Sequence, residues 1–193
     1  MNDRKLTTAV IAAAIALNVA ATAMASSGPG KMAREISAVR NAQTSIAQAI
    51  AAAEAQSGGR AVKAEMDREK AAYLYEIKTV ARDKVLEVLV DPATGKIVRT
   101  HEKGFIAKLF HEDDRDRFDK LAASPVTLAT AISAAEKETG GKALKAEFET
   151  KGGKSLFEVK VTRNDEVRKV KIDASNGKVL KVSDARKYKD END

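Results

Sequence analysis

The chain states one pattern twice. Residues 45–98 align with residues 127–180 at a constant offset of 82 without a gap, and about 21 of the 54 aligned positions are identical. Ala49-Ile50-Ala51-Ala52-Ala53-Glu54 answers Ala131-Ile132-Ser133-Ala134-Ala135-Glu136, and Gly58-Gly59-Arg60-Ala61-Val62-Lys63-Ala64-Glu65 answers Gly140-Gly141-Lys142-Ala143-Leu144-Lys145-Ala146-Glu147. Asp91-Pro92-Ala93-Thr94-Gly95-Lys96 answers Asp173-Ala174-Ser175-Asn176-Gly177-Lys178. A repeat of this kind sets the structural unit. It also makes each copy a control for the other, because chemistry present in one copy alone is not the shared purpose of the unit.

Each copy opens with a helix signal. Ser45 with Gln48 three residues on fits a capping box, and Ile46, Ala49, Ile50 and Ala53 recur at helical spacing. Thr127, after Pro125, caps the second stripe of Leu128, Ala131, Ile132 and Ala135. Gly58 and Gly140 stop these helices, since glycine accepts the left-handed conformation. The period then changes to two. Val62, Ala64 and Met66 alternate with Lys63, Glu65 and Asp67; Leu144, Ala146 and Phe148 alternate with Lys145, Glu147 and Glu149. A second strand carries Tyr73, Tyr75 and Ile77, or Phe157, Val159 and Val161; a third carries Val88 and Val90, or Val170 and Ile172. A short fourth follows the Gly95 or Gly177 turn. One apolar and one charged face predict an antiparallel sheet covered on one side only. The expected fold class is therefore α+β: two repeated units, each a helix packed on an antiparallel sheet of three or four strands.

The regions outside the repeat read differently. Residues 1–25 have the form of a signal peptide: Arg4 and Lys5, an apolar stretch, then Ala23-Met24-Ala25. A transmembrane anchor fits less well, because the stretch is Ala-rich and short of the ~20 strongly apolar residues of a span. Residues 26–43 are expected to be a flexible N-terminal segment, 44–100 the first repeat, 101–123 a helical linker, 124–183 the second repeat, and 184–193 a charged tail. In the linker, Phe105, Ile106, Leu109, Phe110, Phe118 and Leu121 suggest a short helix or two, broken by the charge run Glu112-Asp113-Asp114-Arg115-Asp116-Arg117.

The chain has no Cys, which excludes disulfides, thiol catalysis and Cys metal sites. The absence of Cys does not identify the compartment; the bacterial form of the signal makes the periplasm the expected location, or alternatively the extracellular space, with no stable membrane span expected after signal cleavage. The net charge of +6 is spread among interleaved Lys, Arg, Asp and Glu, and there is no Trp. That pattern describes a mixed surface and not a nucleic-acid stripe or a base-stacking platform.

The ordered motifs resemble the PepSY domain, found in propeptides of thermolysin-type metallopeptidases and in exported bacterial proteins. The second copy carries the likeness in Gly140-Gly141-Lys142-Ala143, Phe157-Glu158-Val159-Lys160-Val161 and Asn176-Gly177-Lys178-Val179-Leu180. The first carries it in Tyr75-Glu76-Ile77-Lys78, Val88-Leu89-Val90-Asp91 and Thr94-Gly95-Lys96-Ile97. The resemblance covers both repeats and not the segment between them. It implies a non-catalytic module that binds and inhibits or otherwise regulates a peptidase, with no catalytic residues to carry over. No peptidase domain accompanies the repeats, so a peptidase partner would be a separate chain.

Residue inventory supports no catalytic, cofactor or metal assignment. The two histidines, His101 and His111, both fall outside the aligned repeat; His111 with Glu112, Asp113 and Asp114 is the candidate for a metal, and a solvated face explains the same residues. A Ser-His-Asp hydrolase would need one of these histidines, and no G-x-S-x-G elbow occurs. Gly140-Gly141-Lys142 lacks phosphate-loop spacing, and the Asp173 turn lacks the calcium-loop pattern. Glu65/Glu147 and Glu76/Glu158 recur in both copies, but their interleaved Lys residues point to cross-strand ion pairs. The leading expectation is an exported binding module for a peptidase or other envelope protein. The alternative is a metal- or small-ligand-responsive envelope protein resting on His101, His111 and the acidic run.

Overall fold

A computed structural model describes residues 30–82, 84–105 and 112–184, so the expected signal peptide, His111 and the charged tail beyond Asp184 lie outside the described residues. The described chain forms helices α1 (Lys31–Asn41) and α2 (Ile46–Ser57), then strands β1 (Arg60–Glu69), β2 (Ala72–Ala81), β3 (Lys84–Val90) and β4 (Ile97–Phe105). The same order follows: α3 (Glu112–Ala123), α4 (Leu128–Thr139), β5 (Lys142–Lys151), β6 (Lys154–Arg163), β7 (Glu166–Asp173) and β8 (Val179–Asp184). All eight strands belong to one antiparallel sheet, ordered β4-β3-β2-β1-β5-β6-β7-β8.

The two copies meet where β1 pairs with β5. Lys63 faces Glu147, Ala64 faces Ala146 and Glu65 faces Lys145. These partners are the same three residues of each copy, so the seam has a local pseudo-twofold axis through the alanine pair. The triplet Lys-Ala-Glu is self-complementary in an antiparallel pair, because reversing the second copy sets each Lys opposite a Glu. Ala64 and Ala146 are fully buried. Their small side chains leave room for α2 and α4, which pack on each other above the seam. The helices approach closely because their inner stripes are largely alanine: Ala49, Ala53, Ala131 and Ala135 are all inaccessible.

The local signals operate as read from the chain. Ser45 and Gln48 form a capping box, and Thr127 accepts from the Thr130 N–H at 3.1 Å. Gly58 and Gly140 take φ of 64° and 67° at the helix ends. The second glycine of each pair has another cause: a Cβ on Gly59 or Gly141 would lie 2.5 Å from the carbonyl oxygen of Val80 or Thr162. Beneath the helices, Tyr75, Phe148 and Phe157 are the bulkiest inaccessible side chains, with the two phenylalanine rings edge-on at 5.2 Å.

Two expectations need correction. The segment 26–43 was expected to be flexible, yet α1 occupies Lys31–Asn41 and buries Ile36 and Val39. Of the expected helical linker 101–123, residues 106–111 lie outside the described residues, Glu112–Ala123 is helical, and the start belongs to a strand. β4 continues through Phe105, so His101 is a strand residue, and the charge run opens α3 rather than breaking the segment. α3 buries Phe118 and Leu121, which stand 82 residues after Ile36 and Val39. The structural repeat is thus two helices and four strands. Each extra helix touches both β1 and β5 and so bridges the copies. Lys31 lies 3.9 Å from Asp67, and α1 shares a cavity with Glu65, Lys145 and Lys160. α1 therefore lies on the charged side of the sheet, opposite α2 and α4, and the single-sided cover expected from alternation is incomplete. Arg60 fastens the other end, donating to the carbonyls of Ala122 at 3.0 Å, Ser124 at 2.9 Å and Val126 at 3.2 Å.

Charge reversal at the seam tests this account. Lys145→Glu sets like charges opposite each other and is expected to cost about 1–3 kcal/mol of unfolding free energy, with Glu65→Lys in the same chain recovering at least about 0.5 kcal/mol by urea titration. Simple additivity of the two changes would contradict the pairing. A second test uses the buried Thr79 hydroxyl, which has no hydrogen-bond partner among the described residues. Thr79→Val imports the residue that the second copy carries at Val161, and is expected to stabilise by about 1 kcal/mol in the same assay.

Candidate functional site

Strand pairing converts the charged alternation into rows across one face of the sheet. In the first copy Lys63 faces Lys78, Lys78 faces Glu87 and Glu87 faces His101. The matching row of the second copy runs Lys145, Lys160, Lys169, Ser183. The next rows run Glu65, Glu76, Leu89, Arg99 and Glu147, Glu158, Lys171, Lys181. Glu87 and Leu89 of the first copy are thus replaced by Lys169 and Lys171. The segment 44–101 carries nine Lys and Arg against eight Asp and Glu, whereas 125–183 carries twelve against eight. The scaffold is symmetric, and its surface charge is not.

The duplicated carboxylates are engaged in ion pairs. Lys145 lies 3.4 Å from Glu65 and 3.2 Å from Glu147, and Lys63 also pairs with Glu65. Glu76 pairs with Lys78 at 3.2 Å, and Glu158 with Lys169 at 2.7 Å. Burial pushes the Glu65 carboxyl up, but Lys63 and Lys145 outweigh it and hold it below its ordinary 4.5. Burial likewise lowers Lys145, and Glu65 and Glu147 reverse the shift, leaving its ammonium harder to deprotonate. Glu35 moves the other way: burial raises it, Lys31 opposes, and Asp67 and Glu65 add to the rise. Glu149 is also raised, by burial and then by Glu158 and Glu147. Burial and Glu136 push the Tyr75 hydroxyl up to about 12; it remains a neutral donor to the Thr44 carbonyl at 2.9 Å.

The histidines do not come together in the described structure. His101 is exposed on the edge strand β4, facing a Glu87 that Lys103 holds at 2.8 Å. His111 lies outside the described residues, as do the side chains of Glu112, Asp113 and Asp114. Among the described residues no three His, Asp or Glu side chains converge as a metal site. The Asp turns are hairpins: Asp91 accepts from the Ala93 N–H at 2.7 Å and Asp173 from the Ser175 N–H at 2.7 Å, with Gly95 and Gly177 at φ of 71° and 74°.

What remains open on the molecule is its two sheet edges. β4 and β8 have no outer strand partner among the described residues. The large apolar side chains exposed by the structure are Val98 on β4 (59%) and Leu180 (56%) and Val182 (38%) on β8. Val98 and Leu180 stand 82 residues apart, so this exposure is duplicated along with the fold. Sequence reasoning missed two features that brace this scaffold. Glu54 and Glu136 each accept from the first strand of their own copy, at the N–H of Ala61 and Ala143, both at 2.8 Å. Ser124 Oγ, buried, donates to the Ala174 carbonyl at 2.7 Å and ties the α3–α4 connection to the β7–β8 turn. An acid preserved in both copies amid a run of alanine was the available signal for Glu54 and Glu136; Ser124 had none, since the first copy has Ala42 there.

Fold and site together define a tandem α+β module with open strands at β4 and β8. The family model described as peptidase propeptide and YPEB domain matches residues 44–101 and again 125–183, and the chain belongs to this PepSY family. A comparison with curated proteins finds no significant match. Among solved structures, the chain is similar to one named for a lipoprotein of Clostridium difficile 630, at 15% identity and TM-score 0.45, covering 75% of this chain and 95% of that one. Another, named for a periplasmic protein of Bacteroides eggerthii, gives 14% identity and TM-score 0.23 over 71% of this chain and 86% of that one. Among the described residues no helix is long and apolar enough to cross a membrane.

The opposed carboxyl shifts give opposite pH signatures. The depressed Glu65 stabilises the fold above pH 4.5, and this is lost as pH falls through its folded value; the raised Glu35 carries a penalty that appears as pH rises past 4.5. Glu65→Gln is therefore expected to destabilise by about 1 kcal/mol near neutral pH and by much less near pH ~3.5, whereas Glu35→Gln stabilises by a few tenths near neutral pH only. Urea unfolding at both pH values reads the difference. The same sign for both variants at neutral pH would refute the assignment.

Proposed function

We propose that this chain is an exported, non-catalytic PepSY protein, periplasmic or alternatively extracellular, that binds and inhibits a peptidase or another envelope protein. The observation that carries this reading is the pair of open sheet edges, each presenting an exposed apolar side chain at the same repeat position. An edge strand offers unpaired backbone N–H and C=O groups, and an extended segment of a partner satisfies them by adding a strand. Membership in a propeptide family supports a peptidase as the partner class. The recurring carboxylates serve the scaffold, since Lys residues engage them in ion pairs, and this supports a role in binding over acid–base chemistry.

The test is functional capture. The mature protein is mixed with a periplasmic extract, crosslinked and recovered, and peptidase rates are measured with and without added protein. The expectation is a recovered partner whose peptide hydrolysis slows at micromolar protein, and loss of both effects in a Val98→Lys/Val182→Lys chain that charges both edges. Unchanged peptidase rates together with no specific partner would reject the reading.

A further inference from the structure

The copies differ most informatively around β8. An open cavity of about 660 Å³ lies there, with Leu156 and Leu180 on its apolar wall and Lys120, Lys151 and Lys154 at its rim. Its size is that of a ligand pocket. Ser155 is also in the lining, and the first copy has Tyr73 at that position, partly buried against the core. The tyrosine ring supplies bulk that the second copy lacks. The neighbouring hairpin differs too. Lys151 and Lys154 are the facing pair that closes the β5–β6 turn, whereas Glu69 faces Ala72 at the corresponding turn of the first copy. Like charges directly opposite each other destabilise a hairpin, so this pair works against folding.

The cavity also has the right sign for an acidic ligand. Three lysines stand at it against one carboxylate, Asp173, which accepts from the N–H and hydroxyl of Ser175 at 2.7 and 2.6 Å within its own turn. Lys120 is partly neutralised by Asp116 at 2.6 Å and Lys154 also acts on Asp173, which leaves Lys151 and, in part, Lys154 as the principal cations. Leu180 joins the cavity to the open backbone of β8. We propose that the β8 edge and this cavity form a docking site for an extended peptide segment of a partner protein that carries a bulky apolar side chain flanked by acidic residues. The apolar side chain enters beside Leu156 and Leu180, and the acidic flanks meet Lys151 and Lys154. The first copy, with Tyr73 and Glu69, is closed to the same segment. This proposal rests on the reading of the chain as a strand-binding module and specifies its ligand.

The probe is a fluorescein-labelled peptide, Asp-Glu-Val-Phe-Val-Asp-Glu, titrated by polarisation into the full mature chain. Matched peptides have Lys in place of the acids, or Ser in place of Val and Phe. The acidic apolar peptide is expected to bind best and to weaken as salt rises. Ser155→Tyr and, separately, Lys151→Glu/Lys154→Ala install first-copy residues and are each expected to weaken it at least about tenfold, while far-ultraviolet circular dichroism stays unchanged. Absence of binding, equal binding of the basic peptide, or equal binding by the charge variant would overturn the site. The peptidase assay separates this outcome from the broader reading. If wild-type and variant chains slow a peptidase equally, the site is wrong and the module reading stands. If the peptide binds as described but no peptidase or envelope partner responds, the site stands and the modulator reading falls.

Discussion

The arrangement depends on one short pairing, Lys63-Ala64-Glu65 against Lys145-Ala146-Glu147. An antiparallel pair between two copies of one triplet is satisfied only if the ends of the triplet attract each other, and Lys with Glu meet that condition. The central residue must also be small, because it lies beneath two helices that touch each other. Ala64 and Ala146 fill that role with no exposed surface. Register follows from both demands together: a one-residue slip would turn Lys and Glu toward α2 and α4. The half-buried ion pairs therefore matter less for their free energy than for fixing which residues oppose which.

Much of the unit was legible in the sequence because its signals are local. Capping at Ser45, the glycine stops, period-two alternation and the Asp-to-Gly turns each need only a few neighbouring residues, and each is found where the chain places it. The extra helices were not legible for an equally physical reason. α1 and α3 share only the apolar spacing of Ile36 and Val39 with Phe118 and Leu121, and their remaining surfaces are free to diverge. The run from Glu112 to Arg117 reads as a break, yet it opens a helix that buries Phe118 and Leu121. The seam itself was hidden because nothing in a repeat says whether its copies pair with each other. The edge site was legible only in part: the exposed Val98, Leu180 and Val182 follow from strand order, and strand order is a tertiary fact.

Duplication has a topological consequence for binding. A lone four-stranded unit ordered β4-β3-β2-β1 would have two open edges, and two separate units would have four. Joining β1 to β5 leaves two, at β4 and β8, and moves them to opposite ends of the sheet. Seven strand spacings of about 4.8 Å separate those ends by about 34 Å. A single short strand cannot reach both, so the two edges act together only on a partner with two sites that far apart, or on two partners.

That separation is what permits the copies to diverge. The seam requires symmetry, and it retains Lys, Ala and Glu in both halves. The rest of the sheet makes no such demand, and away from the seam pairs the residues part: Tyr73 against Ser155, the Glu69–Ala72 closure against Lys151–Lys154, Glu87 and Leu89 against Lys169 and Lys171. A change at β8 leaves the packing at β4 untouched, so one half can conserve the frame while the other alters its contact surface. The second copy is the more expensive to fold, because its β5–β6 hairpin closes with facing lysines and its β8 edge leaves apolar side chains in water. Both costs fall when an acidic, apolar strand lies along β8, since its carboxylates neutralise the lysine pair and its side chain covers Leu156 and Leu180. The asymmetry thus has a physical rationale in the bound state that it lacks in the free chain.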